Sequence, residues 1–171
     1  TKLDPLGKVF LSIGLNANRT TVLSLLSGLA AIYYLFNNYW LFVILAALHL
    51  FLDAMDGVIA RIEKSGIAGQ YYDTVTDTLI NILAFAKMAW FLQDFYAWIT
   101  AGLFTLAVLI HLATKLEAPI VFMRTATLLL LAIFTIPGLP METLLTIGYL
   151  MGGVFSLFSL ARQLQWSIKK F

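Results

Sequence analysis

The stretch 53–77, DAMDGVIARIEKSGIAGQYYDTVTD, gathers Asp53, Asp56, Asp73 and Asp77 in a chain that otherwise avoids charge. Apolar residues lead into it from Trp40 and resume after it toward Leu92. It therefore reads as the end of one apolar helix, a polar break (EKSG, 63–66) and the start of a second. Asp53 and Asp56 are spaced i, i+3, and Asp73 and Asp77 i, i+4. Each pair shares one helix face. A short connection makes the two helices antiparallel neighbours, so the pairs lie at similar depth and can face each other.

The surroundings decide what kind of helix this is. The chain has 171 residues, 61% hydrophobic and 12% charged, with a mean hydropathy of +0.89. Soluble domains run about 45–50% apolar and about 25% charged, so the bilayer is the better solvent. There is no cysteine, which excludes disulfides and thiolate metal sites. A net charge of +2 gives no support for nucleic-acid binding. Residues 1–12, TKLDPLGKVFLS, do not read as a cleavable signal peptide.

Six apolar segments are expected to span: 20–36, 39–61, 69–92, 96–114, 122–136 and 143–164. Residues 4–14 are expected to form an amphipathic helix on the membrane surface. The expected fold class is thus an all-α integral membrane protein, one domain over 1–171. Six spans put both termini and two loops on one side. That side receives Lys2, Lys8, Arg19, Arg61, Lys64, Lys115, Arg124, Arg162, Lys169 and Lys170, and the opposite loops hold Asp94 and Glu142. Such a bias makes that side cytoplasmic. Lys87, the exception, is near enough to the outer end of its span to snorkel.

Carboxylates at membrane depth are costly and by default functional. Four of them without His or Cys suit Mg²⁺, Mn²⁺ or Ca²⁺ rather than zinc. The plainer alternative is four solvated helix ends; Asp53, two turns inside Arg61, argues against it. Gly57, Ala60 and Gly69 would let a ligand or a neighbouring helix approach closely. Arg61 could bind a phosphate or serve as a positive-inside anchor.

The order Asp53-x-x-Asp56-Gly57-x-x-Ala60-Arg61, seven residues, then Gly69-x-x-x-Asp73-x-x-x-Asp77 resembles the signature of the CDP-alcohol phosphotransferases. At about 6% usage per residue type, eight matches in order arise by chance on the order of 10⁻¹⁰ per start position, so coincidence is excluded. The gap after Arg61 is one residue shorter than the family's usual eight, a change confined to the loop. Asn18 and Thr21 stand where the family usually carries Asn and Thr at the start of its first span. The resemblance implies transfer of a phosphatidyl or archaetidyl group from a CDP-linked lipid to a small alcohol, with release of CMP. By the same resemblance, Asp53, Asp56, Asp73 and Asp77 would hold Mg²⁺ or Mn²⁺, with Asp77 also the general base. Asp53, Gly57, Ala60, Arg61 and Gly69 would receive the nucleotide. It further implies a homodimer, in the cell inner membrane with the site on the cytoplasmic face.

The acceptor is written less clearly. After the third aspartate this chain reads DTVTDT, unlike the Asp-Pro-x-Ala-Asp-Lys of the glycerophosphate and cardiolipin branches, the His of the aminoalcohol branch, or the Ser-Phe that follows the fourth aspartate in the serine branch. TKLEAPIVFMRTATLLLLAI (114–133) and the tail SLARQLQWSIKK are similar to the inositol-phosphate-transferring branch. Lys115, Arg124 and Arg162 would then contact the acceptor, although Ala126 and Thr127 depart from that pattern. Positive-inside anchoring explains the same three residues, and glycerol phosphate or another alcohol stays open. A different class, a cation carrier with an acidic intramembrane site, is the rival reading; the absence of matching acidic groups in the other spans weighs against it. His49, one turn before Asp53, could hydrogen-bond to it or be a core residue. His111 has no evident partner. Ser24, Ser27 and Gly28 suggest helix packing, and Tyr33, Tyr34, Tyr39 and Trp40 an interfacial belt.

Overall fold

The computed structural model describes residues 4–63 and 67–170, without the side chains at 67 and 68. Lys2, Lys64 and most of the EKSG break lie outside the described residues. Among those described there are seven helices and no strand. They are α1 (Asp4–Ser12), α2 (Ala17–Tyr34), α3 (Tyr39–Glu63), α4 (Ile67–Leu92), α5 (Phe95–Ala113), α6 (Arg124–Phe134) and α7 (Met141–Lys170). The chain divides into two compact units, Thr1–Asp77 and Thr78–Phe171, with the division inside α4.

The first unit is organised by a stripe of small residues. Ala17, Thr20, Thr21, Ser24, Ser27, Gly28 and Ala31 recur every three or four positions along α2, and all are buried. That face packs along α3. Where apolar packing alone would leave polar atoms stranded, hydrogen bonds satisfy them. Ser24 Oγ lies 2.9 Å from His49 Nδ1 and donates to His49 O at 3.1 Å. His49 Nδ1 also lies 2.9 Å from Ser24 O. The ring thus bonds α2 to α3.

α1 ends in a Schellman motif. The N–H of Leu15 donates to Phe10 O and that of Gly14 to Leu11 O, with Gly14 at φ +83°. Only glycine takes that φ without strain. The chain then turns by 95° into α2. α1 crosses α3, with buried Gly7 beside Val58 and Ile62 and Phe10 edge-on to Phe51.

In the second unit α5 and α7 run side by side in the same direction. Tyr149 OH donates to Asp94 Oδ2 at 2.5 Å, Thr100 Oγ1 to Tyr149 O at 3.2 Å, and Gln163 Nε2 to Ala107 O at 2.8 Å. Asp94 also caps α5 by accepting from Tyr96 N. α5 ends in a second Schellman motif, unusually without glycine: Lys115 and Leu116 take φ +55° and +67°. His111, which sequence left unassigned, anchors that turn. Its Nδ1 lies 2.5 Å from Ala118 O, and its ring meets Phe122 edge-on.

Four helices, α3, α4, α5 and α7, are long and apolar enough to span, and α1 with α2 form a bent pair that is a fifth candidate. α6 differs from the expected span at 122–136. It holds 11 residues, or about 16 Å at 1.5 Å per residue, short of a ~30 Å hydrocarbon core. Pro119 and the β-branched Ile120 and Val121 keep residues 117–123 out of helix, and Val121 N donates to Ser159 Oγ at 3.1 Å instead. Pro137 follows its other end.

Close packing in this unit gives a paired test. A Cβ at Gly152 would stand 2.6 Å from Phe85 Cζ, whereas one at Gly102 would meet nothing within 4 Å. Gly152→Ala is expected to destabilise by about 1–3 kcal/mol, the usual range for overpacking. Gly102→Ala should leave the detergent melting temperature unchanged or slightly raised. Equal melting of the two variants would contradict the packing described.

Candidate functional site

Helix period alone puts Asp53 and Asp56 on one face of α3. The packing of the first unit adds Asp73 from the first turns of α4. One carboxylate oxygen from each of Asp53, Asp56 and Asp73 lies within 4.8 Å of the others. Asp56 is 3% exposed, and Asp53 and Asp73 are more open. The donor set is all oxygen and anionic. Two oxygens on opposite sides of one ion stand about 4.2 Å apart around Mg²⁺ and about 4.6–5.2 Å around Ca²⁺. The cluster therefore has the size and chemistry of a hard divalent cation site. Asp77, one turn further along α4, is half-buried and is not one of the converging three.

A cavity of about 300 Å³ adjoins the cluster. Its walls are Asp56, Gly57, Ala60 and Arg61 from α3, Gly69, Gln70 and Asp73 from α4, and Ala17, Asn18 and Thr21 from α2. The structure thus brings Gly57, Ala60, Arg61 and Gly69 around one space beside two of the aspartates. A Cβ at Gly57 would meet no atom within 4 Å, so packing within this unit does not demand glycine there. Arg61 Nε donates to Gly57 O at 3.1 Å, which folds the side chain back along its own helix. Ala17, Gln70 and Glu63 were not singled out from sequence. Glu63 Oε2 accepts from Ala17 N at 3.0 Å, a contact across 46 residues that no local pattern announces.

Of the three acceptor candidates, all in the second unit, Arg124 and Arg162 are not among the residues lining the groove at Lys115. Lys115 sits on the strained turn after α5 and lines a groove of about 720 Å³ with Thr114, Glu117, Gln163, Trp166 and Lys170. Arg124 opens α6, and Arg162 is exposed on α7, 5.9 Å above the Phe158 ring. Glu117 pairs with Lys170. That hydrogen bond, reinforced by the Lys170 charge, holds the Glu117 carboxyl below its usual range.

Comparison with known proteins bears on the whole chain. Neither the curated proteins nor the solved structures yield a match. The sequence model of one family, described as CDP-alcohol phosphatidyltransferase, matches residues 15–164. That range holds every aspartate of the cluster, the cavity residues and most of both units, and the chain belongs to the CDP-alcohol phosphatidyltransferase family.

Proposed function

We propose that this chain transfers the phosphatidyl group of a CDP-linked lipid to a phosphorylated polyol such as inositol phosphate, releasing CMP. Family membership carries the reaction class. The convergence of Asp53, Asp56 and Asp73 beside a nucleotide-sized cavity is the observation that supports the site. In the proposed reaction the acceptor oxygen attacks the lipid-side phosphorus. The pyrophosphate P–O bond breaks, and CMP departs with the electron pair. Asp77, one turn from Asp73, takes the acceptor's proton. Asp53, Asp56 and Asp73, completed by Asp77, would hold Mg²⁺ or Mn²⁺, which neutralises pyrophosphate charge when bound. Gly57, Ala60 and Gly69 leave room for the nucleotide, and Arg61 faces its phosphates. The positive-inside bias supports six spans, α2 and α6 being the short ones, with the site and both termini cytoplasmic. A homodimer in the cell inner membrane, as the sequence resemblance implies, completes the proposal.

CMP release from a CDP-lipid by purified protein tests the class, since a cation carrier would release none. Activity is expected to need Mg²⁺ or Mn²⁺ and to vanish with EDTA. Asp56→Asn should abolish it while leaving a folded protein. Full turnover in metal-free buffer would remove the metal assignment. Asp77→Asn should preserve CDP-lipid binding and lower turnover by about 10²–10⁴-fold, the range for loss of a general base. Lys115→Ala and Arg124→Ala should raise the acceptor's apparent KM and spare that of the CDP-lipid, each losing a charge-assisted contact of about 1.5–3 kcal/mol. An unchanged acceptor KM in both variants would make the two residues topology anchors and end the inositol-phosphate reading.

A further inference from the structure

The start of α2 forms one wall of the aspartate cavity, through Ala17, Asn18 and Thr21. Helix propensity does not fix where that wall stands, because α2 follows a 95° bend. Packing of the buried Ala17, Thr20 and Thr21 along α3 fixes it together with hydrogen bonds. Arg19 Nη1 donates to Gly14 O at 2.7 Å, and Asn16 Oδ1 accepts from Arg19 N at 2.9 Å. Both hold the elbow together internally. The bond from Ala17 N to Glu63 Oε2, at 3.0 Å, ties the elbow to α3.

Glu63 is seven residues after Asp56, two helical turns along nearly the same face of α3. One helix therefore carries a carboxylate of the cluster and, two turns on, the anchor of the opposite wall. A carboxylate suits this place. It satisfies an α2 amide that has no intrahelical acceptor, and it lies at the positive end of the helix dipole. Glu63 does not line the cavity itself. Its effect on the cavity passes through the position of α2.

We infer that Glu63 is a positioning residue: by holding the first amide of α2, it sets Asn18 and Thr21 at a fixed distance from Asp56 and so sets the width of the cavity for the nucleotide end of the CDP-linked substrate. This rests on the site proposed above. A cap with a purely structural role would affect melting but leave substrate affinity in the folded protein unchanged.

Glu63→Ala and Glu63→Gln in the full chain separate the two roles. Gln keeps a carbonyl oxygen that accepts the same N–H; Ala keeps nothing. The expected result is an apparent KM for CDP-diacylglycerol raised about tenfold in Glu63→Ala, the factor carried by one such hydrogen bond. Turnover at saturation should change by less than about twofold, because no ligand of the cluster is touched, and Glu63→Gln should restore most of the affinity. Should Glu63→Ala fail to fold, Glu63→Asp, one methylene short, serves the same comparison with Gln. A second readout does not depend on activity. The chain lacks cysteine, so exposed Val22 and Leu48 can carry spin labels as a Val22→Cys, Leu48→Cys pair. Their distance distribution should broaden with Glu63→Ala and narrow again with Glu63→Gln. Wild-type KM and an unchanged distribution in Glu63→Ala overturn the inference, as does equal impairment by Ala and Gln. If Asp56→Asn remains active, the site reading fails instead, and the spin-label result still decides whether Glu63 fixes α2.

Discussion

Mutual repulsion among Asp53, Asp56 and Asp73 sets the problem that the first unit solves. Carboxylate oxygens within 4.8 Å of one another, at an effective dielectric of 20, repel by about 3 kcal/mol or more per pair when ionised. A helix pair left to itself would splay to relieve that energy. The contacts that hold it closed must therefore come from residues outside the cluster. The buried small stripe of α2 against α3, the two-way bonding of Ser24 with His49 and the crossing of α1 over Val58 and Ile62 hold α3, which carries two of the three carboxylates. A divalent cation would turn the repulsion into attraction. The same geometry would then become a source of affinity.

The second unit is built on the opposite principle. Among its described residues, cations and anions sit at helix ends and in loops, apart from Lys87 within α4 and Arg162 within α7, and polar groups inside it answer one another. Tyr149 is matched to Asp94, Thr100 to the Tyr149 carbonyl, and Gln163 to the Ala107 carbonyl. Such neutral or short-range pairings register two helices without storing charge repulsion. The carboxylate cluster and its cavity then lie in the unit that ends at Asp77, and the other unit can be apolar over most of its length.

Features set by the helical period were legible in the sequence; those set by long-range contact were not. The expected spans 39–61, 69–92 and 96–114 correspond to helices Tyr39–Glu63, Ile67–Leu92 and Phe95–Ala113, because long apolar runs with polar breaks leave few alternatives. Within the cluster the Asp53–Asp56 pair was legible for the same reason, since an i, i+3 spacing needs only a helix, whereas packing decides that Asp73 joins them and Asp77 does not. α6 was overextended because apolar Ile120, Val121 and Phe122 look like span, whereas Pro119 and the Val121–Ser159 hydrogen bond hold them outside the helix. The turn at Lys115 was hidden as well. Left-handed backbone is expected of glycine, and two non-glycine residues adopt it here because His111, Thr114 and Ala118 hold the turn from several sides. Glu63 carried no signal at all, its partner being 46 residues away.

The same contrast separates two of the acceptor candidates, Lys115 and Arg162, and Lys115 from its groove neighbour Lys170. A cation that recognises a phosphate must have its charge facing open space, not committed to a neighbour. Arg162 lies over the Phe158 ring, and Lys170 is engaged by Glu117 and stacks 4.7 Å from the Trp166 ring. Lys115 differs. Its side chain is exposed at a groove of about 720 Å³, and its backbone is held at φ +55° by the surrounding turn. Non-glycine residues in that region cost about 1–2 kcal/mol and persist where the surroundings impose them, often beside a ligand. Swapping Lys115 for glycine would relieve the strain and remove the charge together, so it could not tell the two contributions apart. Lys115→Ala keeps a Cβ on the strained backbone and removes the ammonium, which is why that substitution, of all those available around the groove, isolates what the charge does.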